Sequence, residues 1–242
     1  MVPGSGAVLV AQQKPAMPAP APRILLIHAL FESLEPIRAA FAQQWPEAET
    51  VNLLDDSLSA DLARDGKLTP AMTERFLTLG RYGSGADGAA PPAAAILFTC
   101  SAFGPAIDRV KASLKIPVLK PNEAAFADAI AAGPRIGLLV TFPPSLPALE
   151  GELRAMAGGR TISIVGRGVD GALAALKAGD ATRHNALIAE AAAAMPEVDA
   201  LVLGQFSMAQ ARGAIAARDP GRRVITTPDS AVRSLKARLG AA

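Results

Sequence analysis

An α/β architecture is predicted: two pseudo-symmetric, doubly wound lobes with mostly parallel sheets and a shared cleft between them. Three observations carry this. From Arg23 onward, apolar runs of four to eight residues alternate with alanine-rich helical segments. Short apolar runs between helices read as strands covered on both faces of a parallel sheet. Three stretches of the first half return in the second half, in the same order. The side chains with chemical potential also gather where strands end, which is where open α/β sheets bind ligands.

The elements follow in order. Residues 1–22, ending in "PAMPAPAP", read as an extended, disordered leader. The short "AVLV" lacks the basic flank and full apolar run of a signal peptide. "RILLIHA" is the first strand, and "SLEPIRAAFAQQW" a helix with Ser33 as its N-cap. "TVNLL" is the second strand. "DDSLSADLARDGKLTPAMTERFLTLGRYG" gives a loop and two helical pieces, with Pro70 opening the second. "GSGADGAAPPA" is a loop and "AAAILFTC" the third strand. "IPVLK", "RIGLLVT", "TISIVG", "DALVLG" and "RVITT" supply the remaining strands.

The repeat joins these elements in pairs. Arg23 and Ser33 of "RILLIHALFESLEP" return as Arg135 and Ser145 of "RIGLLVTFPPSLPA", 112 residues on (135 − 23 and 145 − 33). "AAAILFTCSAFG" returns as "VDALVLGQFSMA", which sets Gln205 on Cys100. "VLKPNEAAFADAI" returns as "VITTPDSAVRSLKA", which sets Pro228 on Pro121. The expected lobes are residues 23–120 and 121–227, with a C-terminal helix at 228–242 packing back on the first.

Cys100 is the only cysteine, so no internal disulfide forms and a cytoplasmic location is favoured. It lies at a strand end before the helical "FGPAIDRVKASL", where a helix N-terminus would lower the pKa of a thiol. The amides of Cys100, Ser101 and Ala102 could cradle an anion there. The plain alternative is a small buried hydrophobe. His28 ends the first strand and could face the cleft. His184, in "DATRHNALIAEAAAA", reads as exposed. The net charge of +2 without a basic block argues against nucleic acid, and no run is long enough to span a membrane. There is no phosphate-loop motif, and one cysteine with two distant histidines argues against zinc. The Asp55–Asp56 pair reads as an exposed turn or helix cap.

"ILFTCSAFG", "IPVLKPNEAAF", "RIGLLVTFPPS", "LVLGQFSMA" and "TPDSAV" together resemble the aspartate/glutamate/hydantoin racemase superfamily over residues 23–240. The resemblance implies two lobes with the active site between them and no cofactor, and the residues offer no metal site. It also implies two cysteines that exchange a proton on opposite faces of a small carboxylate. Cys100 matches the first cysteine, with Thr99, Ser101, Ala102 and Thr141 as substrate contacts. Where the family reads Leu-Gly-Cys this chain reads Leu203-Gly204-Gln205, and glutamine only hydrogen-bonds. Gln205, Phe206 and Ser207 would then contact the far side of the substrate, and His28 would orient it or shuttle a proton. The expectation is a racemase or isomerase acting at an α-carbon. A one-thiol decarboxylase or cis-trans isomerase, or a carboxylate-binding protein without catalysis, are the rivals. A homodimer is compatible with the composition.

Overall fold

The computed structural model describes residues 21–240 except 87 and 89. The leader expected at 1–22 lies outside the described residues but for its last two. The chain runs β1 (Arg23–His28), a 3₁₀ turn (Phe31–Ser33), α1 (Leu34–Gln44), β2 (Glu49–Leu54), α2 (Ser57–Asp65) and α3 (Pro70–Ser84). Then come β3 (Ala95–Phe98), a 3₁₀ turn (Ser101–Phe103), α4 (Gly104–Ser113), β4 (Val118–Leu119) and α5 (Glu123–Ala132). The succession then repeats: β5 (Arg135–Val140), a 3₁₀ turn (Pro143–Ser145), α6 (Leu146–Ala157), β6 (Ser163–Gly168), α7 (Ala172–Lys177) and α8 (Ala181–Ala193). It closes with β7 (Ala200–Leu203), a 3₁₀ turn (Phe206–Ala211), α9 (Arg212–Arg218), β8 (Val224–Thr226) and α10 (Thr227–Arg238).

The two sheets have matching orders, β2-β1-β3-β4 and β6-β5-β7-β8. Every pairing is parallel, and Ile24 opposite Ala95 is repeated by Ile136 opposite Ala200. Both faces of each sheet are covered, which is why the central strands are apolar without alternation. In β1, Leu25 and Ile27 pack with Phe76, Ile107 and Val110 of α3 and α4. Ile24 and Leu26 face the other way, onto Ile37 and Phe41 of α1 and Val232 and Leu235 of α10. Thus the helix that follows the second sheet covers the first. In exchange α5, which follows the first sheet, sends Phe126 and Ala129 against Ile136 and Leu138 of the second.

Local chemistry sets the ends. Thr69 Oγ1 accepts from Met72 N at 3.2 Å, with Pro70 in the first turn, and Gly85 closes α3 in the left-handed region at φ 68°. Gly83 lets α3 lie close to the sheet, since a Cβ there would fall 2.1 Å from Leu25 Cδ2. Ser33 departs from expectation. It occupies the N-cap position of α1, but its hydroxyl makes no capping bond. A 3₁₀ turn runs straight into the helix, so Ser33 is itself helical (φ −86°, ψ −19°) and its hydroxyl is free for other work. Among the described residues no helix is long and apolar enough to cross a membrane.

Candidate active site

A cavity of about 140 Å³ opens between the lobes at the strand ends. The first lobe contributes Leu30, Ser33, Ser59, Leu62, Ala63, Thr99, Cys100, Ser101 and Ala102 to its wall. The second contributes Thr141, Phe142, Leu173, Lys177, Gln205, Phe206 and Ser207. A groove of about 690 Å³ lies elsewhere, between α4, α5 and α10. It is larger but chemically spent, because its charges pair with one another: Glu123 accepts from Lys111 at 2.7 Å and from Arg238 at 2.9 Å, and Asp128 from Arg233 at 2.8 Å. The small interlobe cavity is where reactive groups meet.

Cys100 follows β3 in extended geometry (φ −111°, ψ 119°) and is partly exposed on the wall. Its thiol is pushed up to about 11, first by burial. The Ala102 amide and the Ser59 hydroxyl oppose that rise. The activation expected from a helix N-terminus is therefore corrected. A 3₁₀ turn intervenes, so α4 begins only at Gly104, and apolar surroundings outweigh the amide that does reach the sulfur. At neutral pH Cys100 rests as a thiol, a proton donor. At rest Ser59 donates its one proton to the Ala29 carbonyl at 2.6 Å, and it opposes the rise by turning that proton to the sulfur when a thiolate forms.

His28 does not line the cavity, contrary to expectation. It is fully buried behind Thr99. Nδ1 lies 2.8 Å from Thr99 Oγ1 and Nε2 lies 3.0 Å from Asn52 Oδ1. Burial holds its pKa below the usual range, against the pull of the Asn52 bond. The last residue of a central parallel strand points into a covered face, and here that face is polar.

His184 is also corrected: it is fully buried, not exposed. Its ring nitrogens meet the Ala172 carbonyl at 2.9 Å and the Ser207 carbonyl at 3.3 Å. The signal was available, because His184, Ile188 and Ala192 recur every four residues on one stripe of α8, and Ile188 and Ala192 are core.

Gln205 occupies the position that the repeat sets on Cys100. Its Oε1 accepts from Thr141 N and from Thr141 Oγ1, both at 2.7 Å, and its Nε2 donates to Ser145 Oγ at 3.4 Å. Thr141 is on the wall as expected, but both of its donors already serve Gln205. Gly204 leaves room for this turn: a Cβ there would sit 3.0 Å from the Leu139 carbonyl. Asn122 Nδ2 braces the same turn through the Gly204 carbonyl at 2.8 Å. Phe206 is buried with its ring among α1 and α10, so what it offers the cavity is backbone.

Backbone donors remain at the turns. The first N–H groups of a 3₁₀ turn have no partner within it. Those of Ser101 in one lobe, and of Phe206 and Ser207 in the other, belong to residues of the same wall, while the Ala102 amide is taken by the Cys100 sulfur. Ser33, Ser59 and Lys177 were not singled out as wall residues from sequence. Lys177 is the single charged side chain of the lining and sits exposed at its rim. Asp55 is engaged by Arg75 and Ser57, away from the cavity. Among the described residues no three of His, Cys, Asp and Glu gather as a metal-ligand group.

The family model described as Asp/Glu/Hydantoin racemase matches residues 24–235. No curated protein matches the sequence. Among solved structures, the chain is similar to an allantoin racemase from Klebsiella pneumoniae, at 19% identity over 92% of this chain and 90% of that one, with a TM-score of 0.68. It is similar to an aspartate racemase from Picrophilus torridus at 13% identity, 91% and 95% coverage and a TM-score of 0.68. A glutamate racemase from Bacillus anthracis aligns at 11% identity, 92% and 84% coverage and a TM-score of 0.66. At such identities the likeness speaks for the fold.

Proposed function

This chain belongs to the Asp/Glu/hydantoin racemase family, and we propose that it is an enzyme that moves a proton at the carbon next to the carboxylate of a small molecule, with Cys100 as its acid–base group and no cofactor. The single observation that carries this reading is the Cys100 thiol on the wall of a small interlobe cavity, which two 3₁₀ turns also line. About 140 Å³ suits a small acid and is well below the several hundred Å³ of a drug-sized site. The substrate carboxylate lies against the Ser101, Phe206 and Ser207 amides, and Lys177 attracts it at the rim. Charge that develops on the carboxylate as the α-carbon becomes enediolate-like is held by these same fixed donors. Gln205 holds Thr141 on the part of the wall that the second lobe contributes.

A second reading is favoured by two specific observations. Gln205 has no proton to exchange, and Cys100 rests protonated. A lone thiol acid delivers a proton to one face of a carbanion. It needs no base if loss of carbon dioxide leaves the electron pair on that carbon; in cis-trans conversion the sulfur, its proton released to solvent, would instead add to one carbon of the double bond and leave after rotation about the resulting single bond. The two readings separate in D₂O with L-aspartate, L-glutamate, arylmalonates and maleate as probes. Deuterium at the α-carbon with decay of optical rotation supports racemisation. Carbon dioxide release with a single product configuration, or cis-trans conversion, supports the second reading. No deuterium and no product with any probe would defeat both.

A further inference from the structure

The hydrogen-bond chain behind Cys100 has a direction. Thr99 is 3% exposed, is one of the residues of the cavity wall, and has one hydroxyl proton to give. Two acceptors compete for it inside the protein: His28 Nδ1 at 2.8 Å and the Ile27 carbonyl at 3.4 Å. The far side of the imidazole decides between them. His28 Nε2 faces Asn52 Oδ1 at 3.0 Å, and an amide oxygen only accepts. Nε2 therefore carries the ring proton, and burial keeps the ring neutral. Nδ1 is then a lone pair, and the Thr99 proton goes to it. With the tautomer reversed, two lone pairs would oppose each other at Asn52. The Thr99 proton would then fall to the Ile27 carbonyl, again inward.

We infer that His28 is a positioning residue that turns the Thr99 proton away from the cavity, so that Thr99 presents lone pairs there and selects a ligand that brings an N–H to that point. This narrows the role expected for Thr99, which was that of a substrate contact. A carboxylate oxygen at Thr99 would set acceptor against acceptor, an unmade bond that costs affinity. The acid group belongs instead on the turn amides. The N–H belongs to a substituent on the neighbouring carbon, as in an α-amino or α-ureido acid. The inference rests on reading the cavity as the site of α-carbon chemistry, but its first half does not depend on turnover.

Two measurements test it. In full-length protein labelled with ¹⁵N-histidine, long-range ¹H–¹⁵N spectra read the tautomer of each ring without any ligand. The expected result at pH 7 is a neutral His28 ring protonated on Nε2. Its Nδ1 signal should move toward that of a free lone pair in Thr99→Val and return in Thr99→Ser. A proton on Nδ1, or a doubly protonated ring, overturns the direction assigned here, whatever reaction the enzyme performs. The second measurement is binding of acids matched except for the α-nitrogen, aspartate against succinate and glutamate against glutarate. The nitrogen-bearing member should bind about tenfold tighter, as expected for one hydrogen bond to a charged group, and Thr99→Val should erase that difference. Equal binding of the two members, tighter binding of the member without nitrogen, or binding of neither, overturns the selectivity. Absence of α-proton exchange beside an intact tautomer result would count against the proposed reaction alone.

Discussion

Alkylation of Cys100 should be slow, and its pH dependence should be displaced upward. Burial moves the thiol from an ordinary value near 9 to about 11. The thiolate fraction at pH 8 then falls about a hundredfold relative to an unperturbed thiol. A thiolate of higher pKa is intrinsically more nucleophilic, with a Brønsted slope near 0.4–0.5, which returns about eightfold. The net expectation is alkylation on the order of tenfold slower than a free cysteine at pH 8, before any loss from the narrow cavity. Cys100 is the only cysteine, so mass spectrometry of the intact chain after timed iodoacetamide treatment counts one event. Urea-unfolded protein supplies the reference rate. The rate should climb with pH toward a midpoint near 11. A midpoint at or below about 8.5 would refute the reasoning, since it would mean that the Ala102 amide and Ser59 outweigh burial and that a thiolate base stands ready in the resting enzyme.

Three further outcomes are expected. Because burial lowers the His28 pKa, the unfolded chain takes up a proton that the folded chain resists. The stability this group contributes is complete above about pH 6.5 and declines as pH falls below it, and thermal melts from pH 7.5 to 5 should show that loss shrink in His28→Gln. Gly83→Ala forces a Cβ against Leu25 and Ile96. Overpacking costs about 1–3 kcal/mol and helix propensity returns about 1 kcal/mol, so urea melts should show a net loss of roughly 1 kcal/mol. Lys177→Ala should weaken binding of a small carboxylate by up to about fivefold in calorimetry at low salt, and the difference should fade at high ionic strength.

The fold was legible because its signal is physical and repeated. Each of the eight strands among the described residues overlaps an apolar run visible in the sequence, most plainly β1, β3, β5 and β7, which are buried on both faces and carry no polar alternation to hide them. The matched spacing of Arg23 with Arg135 and of Ser33 with Ser145 anticipated two sheets of one order. The cavity wall was legible only at strand ends: Thr99, Cys100, Thr141 and Gln205 follow directly from where β3, β5 and β7 stop. Ser59, Leu62 and Leu173 were not, because α2 and α7 roof the cavity by tertiary packing that no local pattern encodes. Lys177 looks in sequence like any solvated lysine.

The charge state of the site was least legible. A strand end followed by a helix argues for a lowered thiol pKa, and only the intervening turn and the apolar wall around Cys100 reverse it. His28 and His184 were misplaced for related reasons. The first depends on Asn52 and Thr99, 24 and 71 residues away in sequence. The second needed its helical stripe to be weighed above its polarity.

The role of the Cys100 sulfur is tested most directly by α-proton exchange in D₂O, followed by ¹H NMR on the wild-type chain and on Cys100→Ser with the same small acids. Wild type should place deuterium on the carbon beside the carboxylate of at least one of them, and Cys100→Ser should lose about 10²- to 10⁴-fold of that rate, the usual share of a positioned acid–base group. Exchange that continues undiminished in Cys100→Ser would contradict the account, because the proton would then be travelling through some group other than this thiol.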